Sequence, residues 1–566
     1  MSSNENPLVI VQVSANKNMT TGDYIYRIDQ PARAMAEIPG MTVINITNTS
    51  PYLRDFCIGA DVLVIHLIGE HDFLPIVIER KRRKLPTVFE ISDNFTAFPH
   101  ESELKSWFSD PDNLSTTFQL IGLSDAIQGA SDILLDRFGF LHEVRMTFKN
   151  NLMDLGKVPK TSTDETVTIG WAGSGGHTQD LMGIAGVIRT LCERNSQVRF
   201  SFMGSRQLYE AVFGPSEDMY LSYRKPGTLT DYFDFLGGLD IGIAPLLETP
   251  YNICRSDVKF IEYASRGVVP VLSDVGPYRK NVKHGENAFL FKDQDELKSI
   301  LTSLIADPHL FIQMKHNVYN YAKNNRMERS HAMERISFYR RLISNPASFS
   351  PLPLAHLQKI DSGCEYYHVK QTPAEKKIIQ GAIAQSEGAL KEAELLWLEA
   401  AREFPEYAFP FVCLGKGHMR SDSNKAIEYL MKALSIEPKS LRTRLLLGQA
   451  FKVSGNIERA YKEFEKILQI VPEFGPALVE IALLEQEAGR LDHAEMFFDR
   501  ALTSNPFHAE AAFRLGKIYL EQERDREASD AFGIAADLIP ENIPYREAML
   551  EVLLKSSSRL NAGTGV

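Results

Sequence analysis

This 566-residue chain has few cysteines, no excess of positive charge and no long apolar run. Its five cysteines, Cys57, Cys192, Cys254, Cys364 and Cys413, are scattered without paired spacing. That pattern excludes a disulfide framework or a cysteine-built zinc site and fits a reducing compartment. Asp and Glu (73) outnumber Lys and Arg (62), giving a net charge of -11. A general nucleic-acid binder would instead carry a basic footprint. No apolar stretch comes near the roughly 18 residues of a membrane-crossing helix. Residues 1–7 are polar and lack the apolar core of a secretion signal. The expectation is a cytoplasmic protein with at most peripheral membrane contact and no nucleic-acid partner. One basic run, residues 79–84 (E-R-K-R-R-K), reads as the solvated end of a helix. The glycine-rich segment at 170–180 lacks the G-x-G-x-x-G pattern and so is not the dinucleotide fingerprint.

The length allows about three domains, and the hydrophobic content of 44% is ordinary for a globular chain. Apolar strand-like runs at 8–13, 41–46, 62–67 and 86–91 alternate with helical segments such as 31–38 and 73–83. A second alternating series runs through 167–171, 198–203, 241–244 and 268–272. Strands alternating with helices predict parallel sheets. The boundaries read as 1–155 for the first α/β unit and 156–343 for the second. A Pro- and Ser-rich linker without regular structure is expected at 344–372, helical repeats at 373–556 and a disordered tail at 557–566. On this division a fragment ending at 344 is expected to fold alone.

The repeats are marked by prolines at Pro405, Pro438, Pro472, Pro506 and Pro540, which recur at a nearly constant interval. Alanine stands at one fixed distance before each: Ala393, Ala426, Ala460, Ala494 and Ala528. A bulky apolar residue stands one helical turn after each alanine: Trp397, Leu430, Phe464, Phe498 and Phe532. A period of about 34 residues with these marks resembles the tetratricopeptide repeat, in five copies with a capping helix near 545–554. The alanines let paired helices approach, and the bulky residues are expected to fill the space between repeats. Such a solenoid offers a concave surface for a protein or peptide.

Residues 240–287 carry the densest signal. An apolar strand (241–244) ends at Pro245, a polar loop follows, and a short helix runs from Ser256 to Gly267 into a second apolar strand. In doubly wound sheets this edge binds nucleotides. Ser256 reads as the N-cap, and free N–H groups at a helix start favour phosphate. Arg255 precedes the cap, Lys259 lies in the first turn, and Glu262 follows on nearly the same face. A surface ion pair between Lys259 and Glu262 fits the same spacing. The segment 170–180 (G-W-A-G-S-G-G-H-T-Q-D) follows a strand and opens a helix, so backbone amides at Gly173, Ser174 and Gly175 can cradle a phosphate. A generic strand-to-helix turn would use the same glycines.

The run N-x-x-R-S-D-x-K-F-x-E-Y-A-x-x-G-x-x-P-V-x-S-D-x-G-P, residues 252–277, resembles the donor-binding segment of family-4 glycosyltransferases of bacterial surface-glycan and protein-glycosylation systems. The resemblance implies a GT-B architecture of two Rossmann-like units, a retaining reaction and no metal. It assigns Glu262 to the donor ribose and the 173–177 turn to the donor diphosphate. Cys254 stands where the family's E-x7-E signature has its first Glu. Ser174 and His177 stand where many members carry Arg and Lys, which leaves Arg255 and Lys259 to supply positive charge. In the first unit the loop 16–23 would face the sugar and the acceptor, with Gly22 and Arg27 on the acceptor side. Asp93 ends a strand where relatives carry an active-site His or an acidic pair. It is the acidic candidate at the reaction centre, beside the plain alternative of a strand-end cap. His66, another strand end, is a weaker candidate. Asp110 and Asp112 imitate a metal-binding D-x-D but lie in a polar loop, so no metal site is assigned.

The expected function is that of a glycosyltransferase: a nucleotide sugar on the second unit, a protein or glycan acceptor on the first, and repeats that dock the acceptor or a partner protein. No cofactor is expected beyond the donor substrate. Asp93, Lys259 and Glu262 are the expected catalytic residues. Gly173, Ser174, Gly175, His177, Arg255 and Ser256, with Lys259 and Glu262, would hold the donor. The alternative is a repeat-based scaffold whose transferase unit has lost its activity, as the Cys254 replacement would allow.

Overall fold

The computed structural model describes residues 7–15, 21–99, 103–157, 166–215, 220–343 and 352–563. Residues 16–20 of the first loop, 344–351 of the linker and 564–566 of the tail lie outside the described residues.

The first sheet is built from β1 (Leu8–Ser14), β2 (Met41–Thr47), β3 (Val62–His66), β4 (Thr87–Ile91), β5 (Ala126–Gly129) and β6 (Arg145–Thr147). These six pair in parallel in the order β2-β1-β3-β4-β5-β6. The second sheet contains β7 (Val167–Ala172), β8 (Val198–Met203), β9 (Leu221–Arg224), β10 (Ile241–Ala244), β11 (Val269–Ser273) and β12 (Phe289–Phe291), in the order β12-β11-β10-β7-β8-β9. The central strands β1 and β10 are buried along their whole length, as sheets covered by helices on both faces require. The strand order reverses beside β1 in the first sheet and between β7 and β10 in the second. At such switch points the loops leaving the carboxyl ends part and open a crevice. Here the two crevices face one another, the GT-B arrangement of two Rossmann-like units.

The chain crosses between the units twice, and one buried ion pair serves both crossings. Arg326, at the end of helix Pro308–Asn325, pairs with Asp257 through Nη1–Oδ2 at 2.6 Å and Nη2–Oδ1 at 2.8 Å. The same guanidinium donates to the Asn150 carbonyl and, at 3.1 Å, to Asn151 Oδ1. Residues 150–151 lie on the outgoing crossing and Arg326 on the return. Helix Glu328–Leu342 then packs on the first unit's helix Gln30–Ala36.

The expected linker proves partly structured. β13 (Leu357–Lys359) and β14 (Tyr366–Val369) form an antiparallel hairpin, and β14 extends the first sheet by pairing in parallel with β2. Tyr366 is fully buried there, donating to Asp29 Oδ1 at 2.7 Å and accepting from Asn45 Nδ2 at 2.9 Å. The basic run is the solvated end of helix Phe73–Arg82 at residues 81–84, with one exception. Arg80 is buried, and its guanidinium donates to the carbonyls of Cys57, Ala60, Asp61 and Pro86, so it staples a helix end to two loops.

Five helix pairs follow, from Pro373–Ser386 with Leu390–Glu403 to Ala509–Glu521 with Asp525–Leu538. The bulky residue of each second helix lies against a small one in its own first helix. A Cβ on Gly381 would sit 2.4 Å from the Trp397 ring, and one on Gly448 would sit 2.3 Å from Phe464. The bulky residues therefore fill space within each repeat rather than between repeats. The last helix, Ile543–Gly563, continues through 557–563, where a disordered tail was expected. Extending a formed helix needs no new nucleus.

The solenoid is docked on the first unit, and the two share one hydrophobic core. Turns between repeats make the contact. Asp72 accepts from Ser440 Oγ at 3.0 Å and from the Arg442 amide at 3.1 Å. Asn505 Nδ2 donates to the Pro111 carbonyl at 2.7 Å. Buried Phe474 meets the His71 ring edge-on at 4.9 Å. A fragment ending at residue 344 loses the β14 edge and uncovers this apolar face. We expect it to aggregate or to melt well below the full chain by scanning calorimetry, whereas a domain division at the linker predicts an unchanged melt of the α/β region.

Candidate functional site

The facing crevices form a cavity of about 740 Å³, lined from the first unit by Gly22, Asp23, Tyr26, Arg27, Ser92 and Asp93 and from the second by Gly173, Ser174, Gly175, His177, Arg255, Ser256, Lys259 and Glu262. Every residue expected at the site thus lines one cavity. Volumes of this order suit small-molecule ligands.

The wall of the second unit starts at the turn after β7. Ser174 and Gly175 are exposed there, and Gly176 takes a φ of 87°, which favours glycine. A Cβ on Gly173 would strike the Trp171 ring at 2.6 Å, so glycine is needed for the turn to lie against that ring. The opposing helix, Val258–Ala264, buries Phe260, Ile261, Tyr263 and Ala264. Tyr263 lies over Gly242 of β10, where a Cβ would meet its ring at 2.4 Å. This packing fixes which way Lys259 and Glu262 face.

The helix begins two residues later than expected. Asp257 holds the N-cap position without a side-chain cap bond, because Arg326 engages its carboxylate. Ser256 Oγ accepts from Asn150 Nδ2 at 2.8 Å across the units. Glu262 is buried and fully drawn into the protein. Its Oε1 accepts from the Tyr26 hydroxyl at 3.0 Å, and its Oε2 accepts from Tyr232 at 2.7 Å and lies 3.2 Å from Lys259 Nζ. Burial and the neighbouring Glu262 carboxylate push both tyrosines well above their ordinary range, so they remain donors. A carboxylate has about four acceptor sites, so one lone pair on Oε1 remains for a ligand.

The wall of the first unit carries an acid–histidine cluster in which His66 is buried and Asp23 and Asp93 are half-buried. His66, fully buried at the end of β3, lies 2.8 Å from Asp23 Oδ2 through Nε2 and 3.3 Å from Ser14 Oγ through Nδ1. Burial is the largest single influence and opposes protonation of His66, but the charge and hydrogen bond of Asp23, with the charge of Glu90, together outweigh it and raise its pKa. Asp93 Oδ1 accepts from the Tyr251 hydroxyl at 3.1 Å. Desolvation first, then the charge of Asp23, pushes Asp93 up to about 6. Arg27 is 1% exposed and committed to the protein: to Glu90 at 2.7 Å, to Asn150 Oδ1 at 2.9 Å and to the Phe148 carbonyl at 2.5 Å. It braces the wall. Gly22 opens the short helix Gly22–Tyr24, with free space where a Cβ would lie. Cys254 is 1% exposed and belongs to the apolar core, and it does not line the cavity. Asp110 caps helix Pro111–Leu123, accepting from the Asp112 and Asn113 amides.

Tyr26, Tyr232, Tyr251 and Asp180 escaped the sequence reading, as did the pairing of Asp23 with His66, although His66 itself was a weaker strand-end candidate. Asp180 left a local trace, three residues after His177 at a helix start. Tyr26 sits in a π-helical turn, Ile25–Asp29, of a kind common at functional sites.

Residues 421–440 match the tetratricopeptide repeat family model. The chain is similar to Superkiller protein 3 of Saccharomyces cerevisiae, 31% identical over 75 residues; the match spans 13% of this chain and 5% of that protein. Among solved structures it is similar to HepE of Anabaena in complex with UDP (13% identity, 59% of this chain and 100% of that one, TM-score 0.44). It is likewise similar to a glycosyltransferase from Rickettsia africae (10% identity, 60% and 100%, TM-score 0.44) and to MamA (19% identity, 30% and 94%, TM-score 0.27).

Asp93 yields a stability test. A carboxyl in an unfolded chain titrates near about 4, so the folded state holds this proton more tightly. Folding stability is therefore lost as pH rises through about 4 to 6 and Asp93 ionises. Asp93→Asn should melt above the parent at pH 8, and the gap should close as pH falls below Asp93's own pKa. A gap independent of pH in a thermal-denaturation series would contradict this environment for Asp93.

Proposed function

We propose that the protein is a glycosyltransferase that moves a sugar from a nucleotide-sugar donor to a protein or glycan acceptor, with retention at the anomeric carbon and without a metal. The observation that carries this reading is one cavity joining the 173–176 turn, Arg255, Lys259 and Glu262 on one wall to Asp23 and Asp93 on the other. Departure of a nucleoside diphosphate builds negative charge, and fixed cations with glycine amides stabilise it without reorganising. In this reading Arg255 and Lys259 meet the diphosphate. The remaining lone pair of Glu262 takes a ribose hydroxyl, or the hydroxyl displaces Tyr26. Asp93 holds a hydroxyl at the reaction centre.

In the same reading the solenoid docks the acceptor or a partner protein. Its turns pack against residues 47–49, 71–72 and 111–119, which follow β2, β3 and β4 at the carboxyl edge. The repeats thus stand beside the acceptor wall. No described helix is long and apolar enough to cross a membrane, and a cytoplasmic site of action is part of the proposal.

A second reading, a scaffold with a degenerate transferase unit, is favoured by the burial of Cys254 and the engagement of both Glu262 oxygens. Slow hydrolysis of a nucleotide sugar without acceptor separates the two, because a scaffold does not turn donor over.

A thermal-shift screen of uridine, guanosine and thymidine diphosphates and their sugars tests donor binding. We expect at least one to stabilise the chain. Lys259→Ala should weaken that ligand on the order of 10- to 100-fold, the equivalent of a charge-assisted hydrogen bond of about 1.5–3 kcal/mol. Glu262→Gln, which keeps an oxygen acceptor, should lose less than Glu262→Ala. Absence of any ligand-induced shift would end the transferase reading. Turnover should also survive excess chelator; loss with EDTA and recovery with Mn²⁺ or Mg²⁺ would overturn metal independence.

A further inference from the structure

The sequence left a deficit at the 173–177 turn, which carries no cation of its own. The structure fills it through three side chains. Asp180 is 6% exposed, and its Oδ1 accepts from the Leu247 amide at 2.8 Å and from Asn252 Nδ2 at 3.3 Å. Its other oxygen, Oδ2, lies 2.9 Å from His177 Nδ1. His177 Nε2 in turn lies 3.2 Å from Arg255 Nη1. A guanidinium only donates. Nε2 must therefore accept, and the ring proton sits on Nδ1, where Asp180 takes it. The Trp171 ring meets the imidazole at 69°, 5.7 Å between centroids, and closes its other side. Arg255 is held from a second direction by the Tyr251 ring, 5.5 Å below its guanidinium carbon.

We infer that Asp180 and His177 are positioning residues that orient Arg255 as the diphosphate clamp, so that His177 acts through Arg255 instead of touching the donor. The inference rests on the transferase reading and assigns that site its discrimination of a nucleoside diphosphate from a monophosphate. A histidine that must accept cannot be protonated. Burial, then the charge of Arg255, work against protonation of His177, and its hydrogen bond to Asp180 does not reverse them, so the ring stays neutral at physiological pH. The charged groups facing it are Asp180, Arg255 and, farther off, Lys259. Acid pH should thus release Arg255 and erase the preference for diphosphate.

The test uses the full chain and isothermal titration with UDP and UMP, GDP and GMP, and dTDP and dTMP, carrying forward the pair with the tightest diphosphate. His177→Phe, which has no acceptor, should lower the ratio of diphosphate to monophosphate affinity by about 10-fold. His177→Gln, whose amide oxygen can accept from Arg255, should keep the ratio. In an Arg255→Ala background His177→Phe should change the ratio no further, as residues acting through one contact are not additive. If a diphosphate binds but His177→Phe leaves the ratio within about twofold, or still lowers it without Arg255, the positioning role is wrong. If no diphosphate binds the parent, the transferase reading fails and this inference fails with it.

Discussion

The Arg326–Asp257 pair governs how the molecule is put together. Both partners are almost fully buried, and a bidentate pair tolerates little displacement. Removing one partner of such a pair leaves a buried charge without compensation, at a cost of about 3–5 kcal/mol. Because Arg326 also binds residues 150 and 151, the pair ties both inter-unit crossings to the start of the helix that bears Lys259 and Glu262. The cavity between the units inherits its shape from that tie. It also explains why Asp257, a natural helix cap, does not cap.

A second set of cross-unit contacts lies at the cavity itself. Tyr26 reaches Glu262, Asn150 reaches Ser256 and Tyr251 reaches Asp93. Each joins a residue of one wall to a residue of the other, and the described structure is correspondingly closed. The buried Arg27–Glu90 pair, extended by Gln128 and Asn150, supports the first unit's wall from behind. Arg27, expected on the acceptor side, lines the cavity while its guanidinium is engaged by Glu90, Asn150 and the Phe148 carbonyl.

The solenoid is part of this framework. Its inter-repeat turns set Phe474 into the shared core and donate from Ser440 and Arg442 to Asp72 of the first unit, and the β13–β14 hairpin adds an edge to the same sheet. The hairpin's Tyr366 bonds Asp29, the last residue of the π-helical turn that carries Tyr26 and Arg27. The two α/β units and the repeats are therefore mechanically continuous.

The sequence by itself determined the periodic features. Strand–helix alternation marked two parallel sheets, the evenly recurring prolines from Pro405 to Pro540 marked five helix pairs, and the 170–180 and 252–277 segments marked the residues of one cavity wall. These are local: hydrophobic period, glycine at a tight turn and small residues at helix crossings act within a few turns of chain. Tertiary structure alone decided the rest. The hairpin at 357–369 was hidden because its strands are short and gain their pairing from β2, near the other end of the chain. Glu262 meets Tyr26 at a separation of 236 residues, and Ser115 meets the Ser504 carbonyl at a separation of 389. Burial at such contacts, and with it the protonation of Asp93 and the role of Arg27, depends on which distant surfaces exclude water together, and no local pattern records that.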